Sequence, residues 1–96
     1  MLVLVTYDVS LQTMSGQKRL RHVAKICTDY GIRVQNSVFE CVVDQAQFLI
    51  LRDRLLKEID AEKDSIRFYR LGNNYTEKVE QYGVAPAVHA DAPLIL

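Results

Sequence analysis

Between two amphipathic helical patterns lies Arg33 to Val43, a stretch in which Val34, Val38, Phe39, Val42 and Val43 demand β-structure. Its only weak point is the Asn36-Ser37 pair, which can turn the chain. Whether the backbone runs straight through that pair or folds back at it decides the architecture. A single long strand and a tight hairpin both satisfy the local pattern.

The flanking segments are less ambiguous. Residues 1 to 8 are aliphatic with little polar alternation and end at a carboxylate, Asp8, as in a strand covered on both faces or buried at an interface. Ser10 to Gly16 reads as a loop. After Ser15, the residues Leu20, Val23, Ala24, Cys27 and Tyr30 recur at helical spacing, so a first helix is expected over 17 to 30, with Gly31 as its C-terminal cap. Asp44, with Gln47 three residues on, opens a second helix whose Phe48, Leu51, Leu55 and Ile59 share one face, running to about Glu62. From Ser65 to Leu71, Ile66, Phe68 and Arg70 alternate with Arg67, Tyr69 and Leu71, a strand ended by Gly72-Asn73-Asn74. With a hairpin at Asn36-Ser37 the order becomes β-α-β-β-α-β, an α+β ferredoxin-like sandwich with two helices on one face of a four-stranded antiparallel sheet.

A chain of 96 residues builds one core, so residues 1–96 are expected to form a single domain with 73–96 as a C-terminal extension. That extension carries Pro86 and Pro93 and ends in Leu94-Ile95-Leu96, an apolar terminus that needs a surface to pack on. The sheet of such a sandwich has one uncovered face. A two-fold homodimer packed sheet to sheet, its tails crossing to the partner, meets both demands.

Twelve Lys and Arg balance twelve Asp and Glu, so net charge exerts no pull toward nucleic acid or membrane. The distribution is uneven. Lys18, Arg19, Arg21, Lys25 and Arg33 face Asp29 alone within sixteen consecutive residues, and Lys18, Arg21 and Lys25 share one helical stripe beside His22, suited to a phosphate backbone. An acidic run containing Asp53, Glu58, Asp60, Glu62 and Asp64 offsets them, which suggests a polarised molecule. Cys27 and Cys41 lack a paired spacing and are expected to be reduced core thiols. The apolar start is too short for a signal peptide or membrane span, which places the protein in the cytoplasm.

Asp8 is the sharpest chemical signal, because a carboxylate at the end of an apolar strand must be paired, cap the next loop or collect a cation. One carboxylate holds Mg²⁺ or Mn²⁺ poorly unless substrate phosphate or a second carboxylate completes the site, and a two-fold axis supplies a second Asp8. His22 and His89 have no metal-ligand spacing, and no nucleophilic triad or glycine-rich phosphate loop is present. Tyr7, Phe39, Phe68 and Tyr69 are expected in the core or at an interface rather than stacked on bases.

Asp8 after the apolar strand, Arg19 and Arg21 opening the first helix, and the run Tyr30-Gly31-Ile32-Arg33-Val34-Gln35-Asn36-Ser37-Val38-Phe39-Glu40 together resemble the small CRISPR-associated adaptation nuclease family, Cas-two, over residues 1 to about 75. The tail from Leu71-Gly72-Asn73-Asn74-Tyr75 to Pro93-Leu94-Ile95-Leu96 is similar to members that accompany type I-C systems. The resemblance implies a ferredoxin-like homodimer and therefore two strands at Asn36-Ser37. It implies a metal-dependent endonuclease acting on duplex DNA or single-stranded RNA in spacer acquisition, with Asp8 as catalytic and Mg²⁺- or Mn²⁺-binding residue. Lys18, Arg19, Arg21, Lys25 and Arg33 are then the candidate nucleic-acid contacts, and Tyr7, Ser37 and Phe39 the residues that shape the cleft. The alternative is a non-catalytic dimer that scaffolds DNA and the integrase subunits of the adaptation complex.

Overall fold

The computed structural model describes residues 1–84 and shows the order β1 (Leu2–Asp8), α1 (Met14–Thr28), β2 (Gly31–Gln35), β3 (Val38–Val42), α2 (Gln45–Glu58) and β4 (Ser65–Gly72), followed by a short 3-10 turn at Thr76–Lys78. The expectations for Pro86, His89, Pro93 and Leu94-Ile95-Leu96 lie outside the described residues. The chain turns at Asn36-Ser37, so the hairpin is the correct alternative. The four strands form one antiparallel sheet in the order β2-β3-β1-β4, the ferredoxin-like arrangement.

The register decides which side chains share a face. Val3, Val5 and Tyr7 of β1 lie with Phe39 and Cys41 of β3 under the helices, where Leu20, Val23 and Cys27 of α1 and Phe48, Leu51 and Leu55 of α2 close the core. Because strand side chains alternate, Leu4, Thr6 and Asp8 point to the opposite face, together with their partners Glu40, Val38, Tyr69, Arg67 and Ser65. No helix among the described residues covers that second face. Phe48 and Phe68 meet edge to face at 5.8 Å, which ties α2 to β4. Tyr69, by contrast, is 38% exposed on the open face.

Several local boundaries differ from the sequence expectation. Helix α1 begins at Met14 rather than at 17, because Thr13 is its N-cap, with Thr13 Oγ1 accepting from Gly16 N at 3.0 Å. It ends at Thr28, and Tyr30 lies beyond it. Gly31 is not a left-handed cap; it opens β2, and a Cβ there would fall 1.9 Å from the Glu40 carbonyl oxygen. Close backbone approach across the β2–β3 pair is what requires glycine. The capping box of α2 is present as expected, Gln47 N donating to Asp44 Oδ1 at 2.7 Å and Asp44 N to Gln47 Oε1 at 2.9 Å. That helix stops at Glu58, short of Glu62, since residues 60–64 make a turn in which Asp64 N donates to Asp60 O at 2.7 Å. Cys27 and Cys41 are buried and free, Cys41 Sγ donates to the Cys27 carbonyl at 3.6 Å, and the neighbouring Cys41 side chain, together with burial, pushes the Cys27 thiol far up.

Candidate active site

Strand β1 is central, and its C-terminal end opens into a cleft of about 410 Å³ lined by Thr6, Tyr7, Asp8, Ser37, Val38, Ser65 and Arg67. The ladder is continued to the hairpin turn by Tyr7 N donating to Ser37 O at 2.9 Å, which places Ser37 beside Asp8. On the other side Asp8 pairs with Ser65, the first residue of β4. Asp8 is exposed, and among the described residues its side chain neither forms an ion pair nor caps the following loop.

Directly beneath the cleft, on the helix side, the buried carboxylate of Asp64 gathers four hydrogen bonds. Arg19 Nε donates to Oδ2 at 2.8 Å and Arg19 Nη2 to Oδ1 at 2.9 Å, Asp60 N donates to Oδ2 at 3.0 Å, and the Tyr7 hydroxyl donates to Oδ2. The Arg19 hydrogen bonds, aided by those from Tyr7 and Asp60 N, hold the Asp64 carboxyl down at about 2 against burial. Burial, then the bond to Asp64, pushes the Tyr7 phenol up to about 12. Arg19 is held further into its charged form by Asp64. Tyr7 thus stays a protonated donor, and the cluster ties α1, the turn before β4 and the end of β1 into one rigid corner immediately behind Asp8.

The expected site residues are divided by this arrangement. Tyr7, Asp8 and Ser37 come together at the cleft, while Phe39 is fully buried beneath the sheet and shapes it only from inside. Arg19 is taken up by Asp64. That pairing also weakens the expectation of two opposed charged surfaces, since one member of each run neutralises the other. Lys18, Arg21 and Lys25 are exposed along α1, without carboxylate partners among the described residues, on the side of the sheet opposite to Asp8. Lys25 also borders a groove between the helices lined by His22, Ile26, Arg54, Lys57 and Glu58, where His22 Nδ1 lies 3.2 Å from Glu58 Oε2. Arg33 folds onto its own hairpin, donating to Asn36 O at 2.7 Å and to Asn36 Oδ1 at 3.2 Å, with its guanidinium over Phe39.

Two residues of the corner escape a reading by sequence. Asp64 sits in an acidic run that resembles a solvated face, and nothing local marks it as buried. Arg67 is legible as a face-mate of Tyr69 from the alternation of β4, but only the pairing of Thr6 with Arg67 brings it to Asp8.

A four-stranded antiparallel sheet with both helices on one face, and an exposed carboxylate lining a cleft at the end of its inner strand β1, defines a small ferredoxin-like domain. The family model for CRISPR associated protein Cas2 matches residues 1–79. The chain is 59% identical over 96 residues to the CRISPR-associated endoribonuclease Cas2 of Nitratidesulfovibrio vulgaris, covering 100% of this chain and 94% of that one. It is 59% identical over 95 residues to the CRISPR-associated endonuclease Cas2 of Halalkalibacterium halodurans, covering 99% of each. The crystal structure of Streptococcus pyogenes Cas2 at pH 6.5 superposes with a TM-score of 0.81 and 60% identity, over 86% of this chain and 100% of that one. The chain belongs to the Cas2 family.

Proposed function

We propose that the protein is a metal-dependent endonuclease that hydrolyses phosphodiester bonds of duplex DNA or single-stranded RNA in CRISPR spacer acquisition, with Asp8 as its catalytic and metal-binding residue. The observation that carries this reading is the exposed, unpartnered Asp8 carboxylate in a cleft with Ser37, Ser65 and Arg67. The names of the relatives, endoribonuclease in one case and endonuclease in another, support the reaction class and leave the polymer open.

The donor set fits one kind of ion. Among the described residues no three His, Cys, Asp or Glu side chains cluster, which excludes a closed tetrahedral site within one described protomer. A single carboxylate with hydroxyl oxygens in an open cleft suits Mg²⁺ or Mn²⁺, which keep several waters and use substrate phosphate as a ligand. When bound, such an ion supplies charge neutralisation at the phosphate and acidifies water. Asp8 holds and orients it, Ser37 and Ser65 offer hydrogen bonds at the cleft walls, and the Tyr7, Arg19 and Asp64 corner keeps the end of β1 in place. Among the described residues lining the cleft, Asp8 is the only carboxylate, and no histidine lines it, which makes slow hydrolysis the expected behaviour.

The uncovered sheet face, with Leu4, Val38 and Val42 half-buried on it, supports a homodimer packed sheet to sheet, which would bring a second Asp8 to the cleft. The 73–96 extension packing on the partner, a single domain over 1–96 and a cytoplasmic location belong to the same proposal. No helix among the described residues is long and apolar enough to cross a membrane.

One observation favours the scaffold as a second reading. Lys18, Arg21 and Lys25 form their stripe away from Asp8, so duplex DNA can be held there without reaching the cleft, leaving dimer edges for integrase subunits. The experiment is cleavage of labelled duplex DNA and single-stranded RNA by wild type and Asp8→Asn with Mg²⁺, Mn²⁺ or EDTA. The nuclease reading expects metal-dependent cutting that disappears in Asp8→Asn while duplex binding persists. Equal cutting by both proteins, or none by either, defeats it and leaves the scaffold.

A further inference from the structure

The Asp8 cleft contains a second charged group that no sequence motif marks. Arg67 sits on β4 opposite Thr6, so it projects from the same helix-free face as Asp8 and lines the same cleft. It is exposed, and among the described residues it has no carboxylate partner. The other arginine near this corner, Arg19, is consumed by Asp64 on the far side of the sheet. Arg67 is not loose either: its guanidinium lies 5.1 Å from the ring centre of Tyr69, two residues along the same face of the strand. A cation held over an aromatic face is restrained without giving up its outward N–H donors.

We infer that Arg67 is the phosphate-binding residue of the Asp8 cleft, receiving the non-bridging oxygens of a phosphodiester, and that Tyr69 is the positioning residue that presents its guanidinium. This rests on the nuclease reading above. A planar guanidinium fork matches two phosphate oxygens in a way a lysine ammonium does not. Arg67 transfers no proton. Its contribution is to set the backbone in register with Asp8 and to share the charge of the phosphate. Phosphate contacts carry no base information, so sequence-tolerant action follows.

The test combines binding and cleavage, using a short labelled duplex and a single-stranded RNA of equal length. In an Asp8→Asn background, adding Arg67→Gln should weaken binding about tenfold at low salt. It should also make the slope of log K against log salt shallower, by about 0.9 on duplex or about 0.7 on single strand for each phosphate that Arg67 neutralises. In the otherwise wild-type protein, Arg67→Gln should raise KM and lower kcat. Arg67→Lys should recover the salt slope but not kcat, and Tyr69→Leu should fall between wild type and Arg67→Gln. A slope change confined to one polymer supports the inference and names the polymer.

Unchanged KM, kcat and salt slope in Arg67→Gln, with metal-dependent cutting intact in wild type, overturns the inference and leaves the nuclease reading standing. An Arg67-dependent salt slope with no cutting by wild type overturns the nuclease reading and upholds the phosphate contact. Full recovery of kcat by Arg67→Lys overturns the orienting role of the fork. Weakened binding that merely tracks loss of the dimer in sedimentation overturns the inference, because Arg67 would then serve assembly.

Discussion

Arg19 and Asp64 form a forked ion pair across forty-five positions of sequence, Nε to Oδ2 at 2.8 Å and Nη2 to Oδ1 at 2.9 Å. The Asp64 side chain is 0% exposed and that of Arg19 17%, so water screens the pair weakly. Because Tyr7 donates to the same carboxylate, three elements converge on one buried charge just behind Asp8. Removing either partner leaves the other desolvated and unpaired, which is far more costly than losing a surface salt bridge.

Asp64→Asn preserves shape and removes the charge, and should lower stability by about 2–4 kcal/mol. Tyr7→Phe should cost about 1 kcal/mol. Urea unfolding of the two single variants and the double variant checks both figures. Because the charge on the Asp64 carboxylate strengthens the bond it accepts from Tyr7, the double variant should lose less than the sum of the singles. Additive losses would show that the two changes act independently.

The same corner sets two limbs of a stability profile. Asp64 titrates at about 2 in the folded protein against an ordinary 3.8, so its stabilisation is complete above that ordinary value and lost as pH falls toward 2. Tyr7 titrates at about 12 against an ordinary 10.0, so its stabilisation is complete below that ordinary value and lost as pH rises toward 12. Subtracting the Asp64→Asn profile from wild type should isolate the acid limb, and subtracting Tyr7→Phe the alkaline one. A flat difference across either window would break the assignment.

Gly31 and Gly72 are glycines for different reasons, and alanine separates them. At Gly31 the added Cβ meets backbone, the Glu40 carbonyl oxygen at 1.9 Å and Cys41 Cα at 2.6 Å, so β2 must move off β3. Gly31→Ala should cost about 3 kcal/mol or more. Gly72 has φ of +78° and open space around it, so Gly72→Ala should cost only about 1 kcal/mol, the penalty of the left-handed backbone. Thermal unfolding of the two variants side by side decides the ranking.

Glu40 is 8% exposed on the open sheet face, between Leu4 and Ile32 in register, with no ion pair among the described residues. Burial pushes its carboxyl up, so the charged form is a cost that grows as pH rises. Glu40→Gln should therefore raise Tm at pH about 7 and change it little at pH about 4. A lower Tm at the higher pH would mean that the charge is compensated.

Much of this layout is legible in the chain. The hydrophobic periods of α1 and α2, the Asp44 and Gln47 capping box and the alternation of β4 are local patterns, and the structure reproduces them. The Asn36-Ser37 pair is locally ambiguous, and the family resemblance selects the hairpin that the structure shows. The start of α1 is hard to place because Ser10 to Gly16 has loop composition throughout. Thr13 stands out from that loop only once its Oγ1 accepts from Gly16 N in the folded chain. Gly31 misleads for a similar cause: a residue following a helix looks like a cap, and its true constraint comes from β3.

At the site the division is sharper. That Asp8 ends an apolar strand, and that Lys18, Arg21 and Lys25 share a helical stripe, can be read from the chain, since both facts depend only on the repeat of one element. That Arg19 is spent on Asp64, that Arg33 folds back on its hairpin, and that Arg67 stands beside Asp8 are settled only once the elements are packed. Those outcomes depend on strand order and register. Neither is encoded in the period of any single segment, and a one-residue slip of β4 against β1 would carry Arg67 to the other face.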